Sequence, residues 1–238
     1  MRSLIGRDKY KISNGLIVKI PLIAEIRGDN EETYHEYMSL ISPFVMTSTD
    51  CMVELFEQGI DFQDLEDDWI FFCLNMAMGL ERDYSMLFPE LELCKFDVVE
   101  HGDELFVVEK NNNLIISRKE YEEISEVLCK ANFIEKKHRK FANQRALEKA
   151  VNMEKKKRER RSKEERNQLD ELILFAANNK NFKYDFDSVN KLSLYTFYAC
   201  VKQIQNDNHI DNLMLGGYTG NVDLSKLSSN ELNRFITL

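Results

Sequence analysis

Proline and glycine are scarce. Pro21, Pro43 and Pro89 are the only prolines, so the last 149 residues have none, and nine glycines are spread over 238 residues. This composition favours helix and excludes collagen-like and Pro/Gly-rich disordered chains. No apolar run approaches the roughly 18 residues that a membrane-crossing helix needs. The opening MRSLIGRDKYKIS lacks the apolar core of a signal peptide, so secretion by that route is not expected. Cysteine is sparse and odd in number: Cys51, Cys73, Cys94, Cys129 and Cys200 form no CxxC, which excludes a disulfide framework and suits a reducing cytoplasm. His35, His101, His138 and His209 are far apart and offer no metal-ligand spacing. No GxSxG, HExxH, phosphate-loop or EF-hand pattern occurs, so no enzyme activity, cofactor or metal is expected. The one glycine cluster, Gly216-Gly217-Tyr218-Thr219-Gly220, follows an apolar helix, whereas a phosphate loop follows a strand; it reads as a helix end and turn.

What the chain does have is a divided charge. Hydrophobic residues make up 43% and charged residues 31%, enough for a core and a soluble surface. Residues 136–166 hold 14 lysines and arginines against five acids, a net of +9. The other 207 residues therefore carry −18 of the chain's −9 total. Three readings compete for this basic arm. It is a solvated connecting helix, a dock for an acidic protein surface, or a binder of nucleic-acid phosphates. Glu154–Arg158 and Glu159–Lys163 spacings support an exposed helix with no apolar stripe beyond Leu147, Val151 and Met153 and no aromatic but Phe141. The acidic body argues against nucleic acid.

Periodicity predicts an α+β chain, predominantly helical. Residues 9–20 read as a β-hairpin turning at Asn14-Gly15, with Ile12, Leu16, Val18 and Ile20 on one face. A helix at 31–42 is expected to close at Pro43, and another, capped by Ser48 or Thr49, to end at Gln58–Gly59. Asp64 is expected to cap a helix through Trp69, Phe72, Cys73 and Met76, and the 64–68 acids read as cap and helix-dipole partners. A short helix 83–88 follows. Residues 93–117 alternate as a three-stranded meander, which with the hairpin would make a sheet of about five strands. Ser117 and Glu120 form a capping box for a helix ending near Asn132. A charged helix at 141–163, an apolar helix at 168–179 and an extended link at 181–190 come next. Ser193 caps a further helix, and two short helices end the chain. The organisation expected is an α+β domain at 1–134, a basic connecting helix at 135–167 and a helical subdomain at 168–238.

The order of the second half is distinctive: a basic stretch, ELILFAANN, FKYDFDSVNKLSLYTFYACVKQIQ, then DNLMLGGYTGNVDLSKLSSNELNRFI. With NGLIVKIPLIAEI opening the chain, it resembles proteins of the tail-morphogenesis region of phages and prophages of low-GC Gram-positive bacteria. It is similar to tail assembly chaperones, non-enzymatic proteins that hold tail components during polymerisation. The resemblance implies partners among tube, tape-measure or baseplate proteins, a location in the host cytoplasm or the virion, and self-association as an open matter. Such chaperones are often shorter, with a frameshifted extension, so a minor structural tail or baseplate component is the alternative role. A nucleic-acid-associated accessory protein is the second. Partner contacts are expected at Lys155, Lys156, Lys157, Arg158, Arg160 and Arg161 on the arm, and at Tyr195, Tyr198, Leu213, Gly217 and Tyr218 in the tail.

Overall fold

The structure is a computed structural model and describes residues 4–27, 32–161 and 168–235. About half of the chain is helix and about 12% strand, in three small antiparallel sheets. The fold is α+β and predominantly helical.

Strands β1 (Lys9–Lys11) and β2 (Ile17–Lys19) pair with Tyr10 opposite Val18, and the alternation buries Ile12, Leu16, Val18 and Ile20 as expected. The turn differs from the two-residue form that Asn14-Gly15 suggested. Only Gly15 has a positive φ, 96°, and the Ile12 N–H reaches the Leu16 carbonyl at 2.8 Å. The connection thus spans residues 13–15. Asn14 spends its side chain instead, accepting from the Leu16 N–H at 3.0 Å and donating to the Ile115 carbonyl at 3.2 Å.

Helix α1 (Ile23–Arg27) precedes α2 (Glu32–Val45). Helix α2 runs through Pro43 rather than stopping there, because Tyr37, Leu40, Ile41, Phe44 and Val45 all insert into the core. In the last turn proline forfeits one hydrogen bond, which that burial offsets. Helix α3 (Met52–Glu57) starts later than expected. Neither Ser48 nor Thr49 caps it: the Thr49 hydroxyl accepts the Arg139 N–H at 3.1 Å, next to the bond that the Thr47 hydroxyl donates to the Lys137 carbonyl at 2.9 Å. Its end is as expected, at Gln58 with Gly59 left-handed at φ 75°. Asp61 caps a 3-10 turn at Phe62–Leu65, and Asp67, not Asp64, caps α4 (Asp68–Ala77), accepting the Trp69 N–H at 2.9 Å.

Short strands β3 (Arg82–Asp83) and β4 (Leu93–Cys94) pair where the sequence led us to expect a helix at 83–88. Between them, turns bury Tyr84, Leu87, Phe88 and Leu91. The meander is β5 (Phe96–His101), β6 (Glu104–Glu109) and β7 (Leu114–Ile116), turning at left-handed Gly102 and Asn113. It does not merge with the hairpin into one five-stranded sheet. The capping box then opens α5 (Arg118–Ala131), with Ser117 N–H to Glu120 at 3.0 Å.

Helices α6 (Gln144–Arg161) and α7 (Gln168–Ala177) follow. The expected extended link contains a one-turn helix, α8 (Phe186–Val189), capped by Asp185. Helix α9 (Leu194–Tyr218) is capped by Ser193 and is one continuous 25-residue element, not two helices. Beyond it, Asp223 caps a 3-10 turn at Leu224–Lys226, and residues 228–235 form turns, not the helix expected there.

One hydrophobic core runs from Leu4 to Ile204 and takes side chains from α1, α2, α4, α5, α7 and α9. Phe44, Phe72, Trp69 and Tyr121 form its aromatic centre, with Phe72 and Tyr121 stacked at 4.6 Å. The C-terminal helices are also bonded to the N-terminal segment through backbone. Ile23 and Ala24 N–H groups reach the Leu192 and Asn190 carbonyls, and the Leu194 N–H reaches that of Pro21, at 2.9–3.1 Å. A second, satellite cluster lies apart from this core: Met52, Val53 and Phe62 with Leu147 and Val151.

Candidate partner-binding site

Alanine, leucine, glutamate, lysine and arginine make α6 a strong helix former over its whole length. The expectation of a lone solvated rod is not met. Leu147 and Val151, one turn apart, are 4% and 1% exposed and pack on α3 and the 3-10 turn. Phe141 adds an edge-on contact to Phe62 at 5.9 Å. Burying two such side chains is worth roughly 1.5–3 kcal/mol each. Ion pairs fix the register: Lys155 with Glu57 at 2.7 Å, Lys140 with Glu66 at 2.9 Å, and Arg158 with Glu54. Arg158 also donates to the Asp50 carbonyl at 2.8 Å. Exposed pairs of this kind contribute at most about 1 kcal/mol each, so the apolar contact holds the helix and the charges orient it. The arm's first acidic partner is therefore the chain's own α3.

The opposite side of α6 faces solvent. Ala150, Met153, Lys156, Lys157 and Arg160, with Arg139 from the preceding loop, line an open groove of about 690 Å³. Met153 is 63% exposed at its centre. Lys157 lies 3.7 Å from Glu154, which also borders the groove. Among the described residues no carboxylate pairs with Arg139, Lys156 or Arg160. The side chain of Arg161, and Lys163 and Arg166, lie outside the described residues.

The tail residues separate in the same way. Tyr195 is 1% exposed and stacks on Phe133 at 5.4 Å, so it is a core residue and not a partner contact. Tyr198 is half-buried, its hydroxyl 3.1 Å from that of Tyr34, and burial drives its phenol far above the ordinary range. Leu213 is half-buried. Gly217 is a packing residue: a Cβ there would stand 2.5 Å from Leu224, and one on Gly216 2.6 Å from Val222. Of this set only Tyr218, 87% exposed, is presented to solvent, with Leu215 one turn before it.

One cluster escaped the sequence reading. Lys136 sits 3.1 Å from the Asp68 carboxylate and 2.8 Å from the Tyr121 hydroxyl, with its ammonium 4.9 Å over the Tyr121 ring. His138 approaches Asp68 at 3.7 Å, and Arg118 clasps Asp67 at 2.9 Å. These groups line a cleft of about 470 Å³. Only one of the 64–68 acids can cap α4, and Asp67 does so, which leaves Asp68 for Lys136, a residue of the basic run 68 positions along the chain. Burial, then the Asp68 charge, pushes the Tyr121 phenol far up, and burial raises the Cys129 thiol. Neither is a ready nucleophile near neutral pH. The cluster ties the segment after α5 to α4. The other thiols behave alike. Burial pushes Cys51, Cys73 and Cys94 up to about 11 and raises Cys200.

Among the described residues no three His, Cys, Asp or Glu side chains gather where they would hold a metal ion, and no helix is long and apolar enough to cross a membrane. Comparison with protein-family models, with curated proteins and with solved structures finds no match.

Proposed function

We propose that the protein is a non-enzymatic assembly factor of phage or prophage tails, acting in the bacterial cytoplasm by holding tube, tape-measure or baseplate precursors. The observation that carries this reading is the outward face of α6, where Arg139, Lys156 and Arg160 surround exposed Met153 on a helix anchored from behind. An anchored cationic face with an apolar centre is suited to reversible protein binding, because it needs no ordering before contact. The arrangement of the second half, from the basic stretch through DNLMLGGYTGNVDLSKL, is the other support.

The test is co-expression with the tail proteins encoded beside it, together with mass spectrometry of purified particles. A chaperone co-purifies with a tail precursor and is absent from finished particles. Stoichiometric presence in particles would make it a structural component instead. Duplex DNA binding that falls steeply with salt would make it a nucleic-acid accessory.

A further inference from the structure

Helix α6 carries one pattern twice. On its buried side the order is Leu147, Val151, Lys155, Arg158: two apolar residues, a lysine and an arginine on successive turns. That face holds α3, whose Val53 supplies the apolar contact and whose Glu57 and Glu54 meet Lys155 and Arg158. On the solvent side the order is Ala150, Met153, Lys157, Arg160, with spacings of three, four and three residues that keep them on one helical stripe. The residue types repeat in the same order. Lys156 and Arg139 add charge at the edges of the groove, and Glu154 subtracts some. Nothing among the described residues covers this stripe.

We propose that the outer stripe of α6 is a docking site for an acidic amphipathic helix of a partner protein, with carboxylates spaced like Glu54 and Glu57 beside apolar side chains. This rests on the reading of the chain as a binding protein and specifies the chemistry of what it binds. Charge complementarity chooses the occupant: the stripe and its margins are cationic and favour an acidic helix, whereas two copies of this chain, each with a net charge of −9, repel one another overall. A helix fits better than an extended acidic peptide because α3 already meets the same residue order with acids three apart. Phosphate recognition would leave Met153 without a role.

The probe is a synthetic peptide of residues 49–60 with serine for Cys51, titrated into the full chain at physiological salt, beside a scrambled peptide and a 20-base-pair DNA duplex. The intact peptide is expected to bind, and the scrambled one to bind at least about tenfold more weakly. The K156E/K157E/R160E variant should weaken binding by at least about tenfold, and Met153→Ser, at a position too exposed to disturb folding, by several-fold. K155A/R158A, on the α3 side, should leave binding by the outer stripe in place. Equal binding to wild type and both outer variants would overturn the site. Loss of binding only in K155A/R158A would mean that the peptide exchanges with α3, and would also overturn it. Tighter binding of the duplex, lost in the triple variant, would reassign the surface to phosphates. If peptide binding fails while a tail precursor still co-purifies, this inference falls and the assembly reading stands.

Discussion

Phe133 holds a left-handed backbone, φ 53°, directly after α5. Side chains other than glycine and asparagine rarely accept this, at a cost of about 1–2 kcal/mol. The ring is kept there by α9, stacked on Tyr195, edge-on to Tyr198, and with Lys202 5.0 Å over its face. Phe133→Gly loses the ring but relieves the backbone, and Phe133→Ala loses the ring and keeps the strain. In urea unfolding the glycine variant should therefore be the more stable of the two, by about 1 kcal/mol; the reverse order would show that the backbone is unstrained. The thiols give a second residue-level expectation. Cys73 and Cys94 are buried, with pKa values pushed to about 11 from an ordinary 9.0. Below pH 9 folded and unfolded chains both keep these protons, so the thiols leave stability independent of pH. Between about 9 and 11 the unfolded chain ionises first, and stability falls. The urea midpoint should decline over that window, and Cys73→Ala should flatten the decline. An unchanged slope would mean that Cys73 is not the titrating group.

At the level of elements, α6 stands on its satellite cluster and not on the main core. L147A/V151A should strip amide-exchange protection from residues 144–161 and leave α5 and α9 protected, since the lost burial, roughly 2–5 kcal/mol for a leucine-to-alanine change, is confined to that contact. If protection falls everywhere, the satellite is part of one cooperative unit. The Gly217→Ala change belongs here too. Its Cβ meets Leu224, so the chain after α9 must lift, and exchange should quicken over 219–227 while the helix stays intact. These elements also explain what could be read from the sequence. The Ser117–Glu120 box was legible because its partners are three residues apart. Thr49 looked like a cap but accepts from the Arg139 N–H 90 residues away, which local pattern does not contain. Helix α9 looked divided because Asn206, Asp207 and Asn208 weaken helix propensity midway, and burial of Ile204 and Ile210 on either side carries it through. The outer stripe of α6 was legible as charge. The inner one was not, because two apolar residues in a basic run say little until α3 is seen to need them.

At the scale of the whole molecule, the −18 body and the +9 arm are not two bodies on a tether: Lys140, Lys155 and Arg158 of the arm neutralise Glu66 and α3, and among the described residues Arg139, Lys156 and Arg160 are left for a partner. The ends of the chain are joined as firmly. Leu194, Tyr195, Phe197, Val201 and Ile204 of α9 lie in the same core as Leu4, Ile23, Tyr37 and Leu128, and the segment from Pro21 to Ala24 donates two backbone hydrogen bonds to residues 190–194 and accepts one from them. Removing residues 168–238 would therefore uncover Ile23, Ile26 and Leu128 and leave the Ile23 and Ala24 N–H groups without their acceptors, each such loss costing about 1–3 kcal/mol where water does not replace it. The core side chains Leu169, Ile173, Leu194, Phe197, Val201 and Ile204 go as well, at roughly 1.5–3 kcal/mol each, and the sum matches a total stability of roughly 5–15 kcal/mol, so the folded state is lost. A fragment of residues 1–161 should accordingly show no cooperative melting transition and no fixed near-ultraviolet aromatic signal, while the full chain shows both. A fragment that melts cooperatively would mean that the first 161 residues fold as a unit of their own, with the C-terminal helices docked on an already completed core.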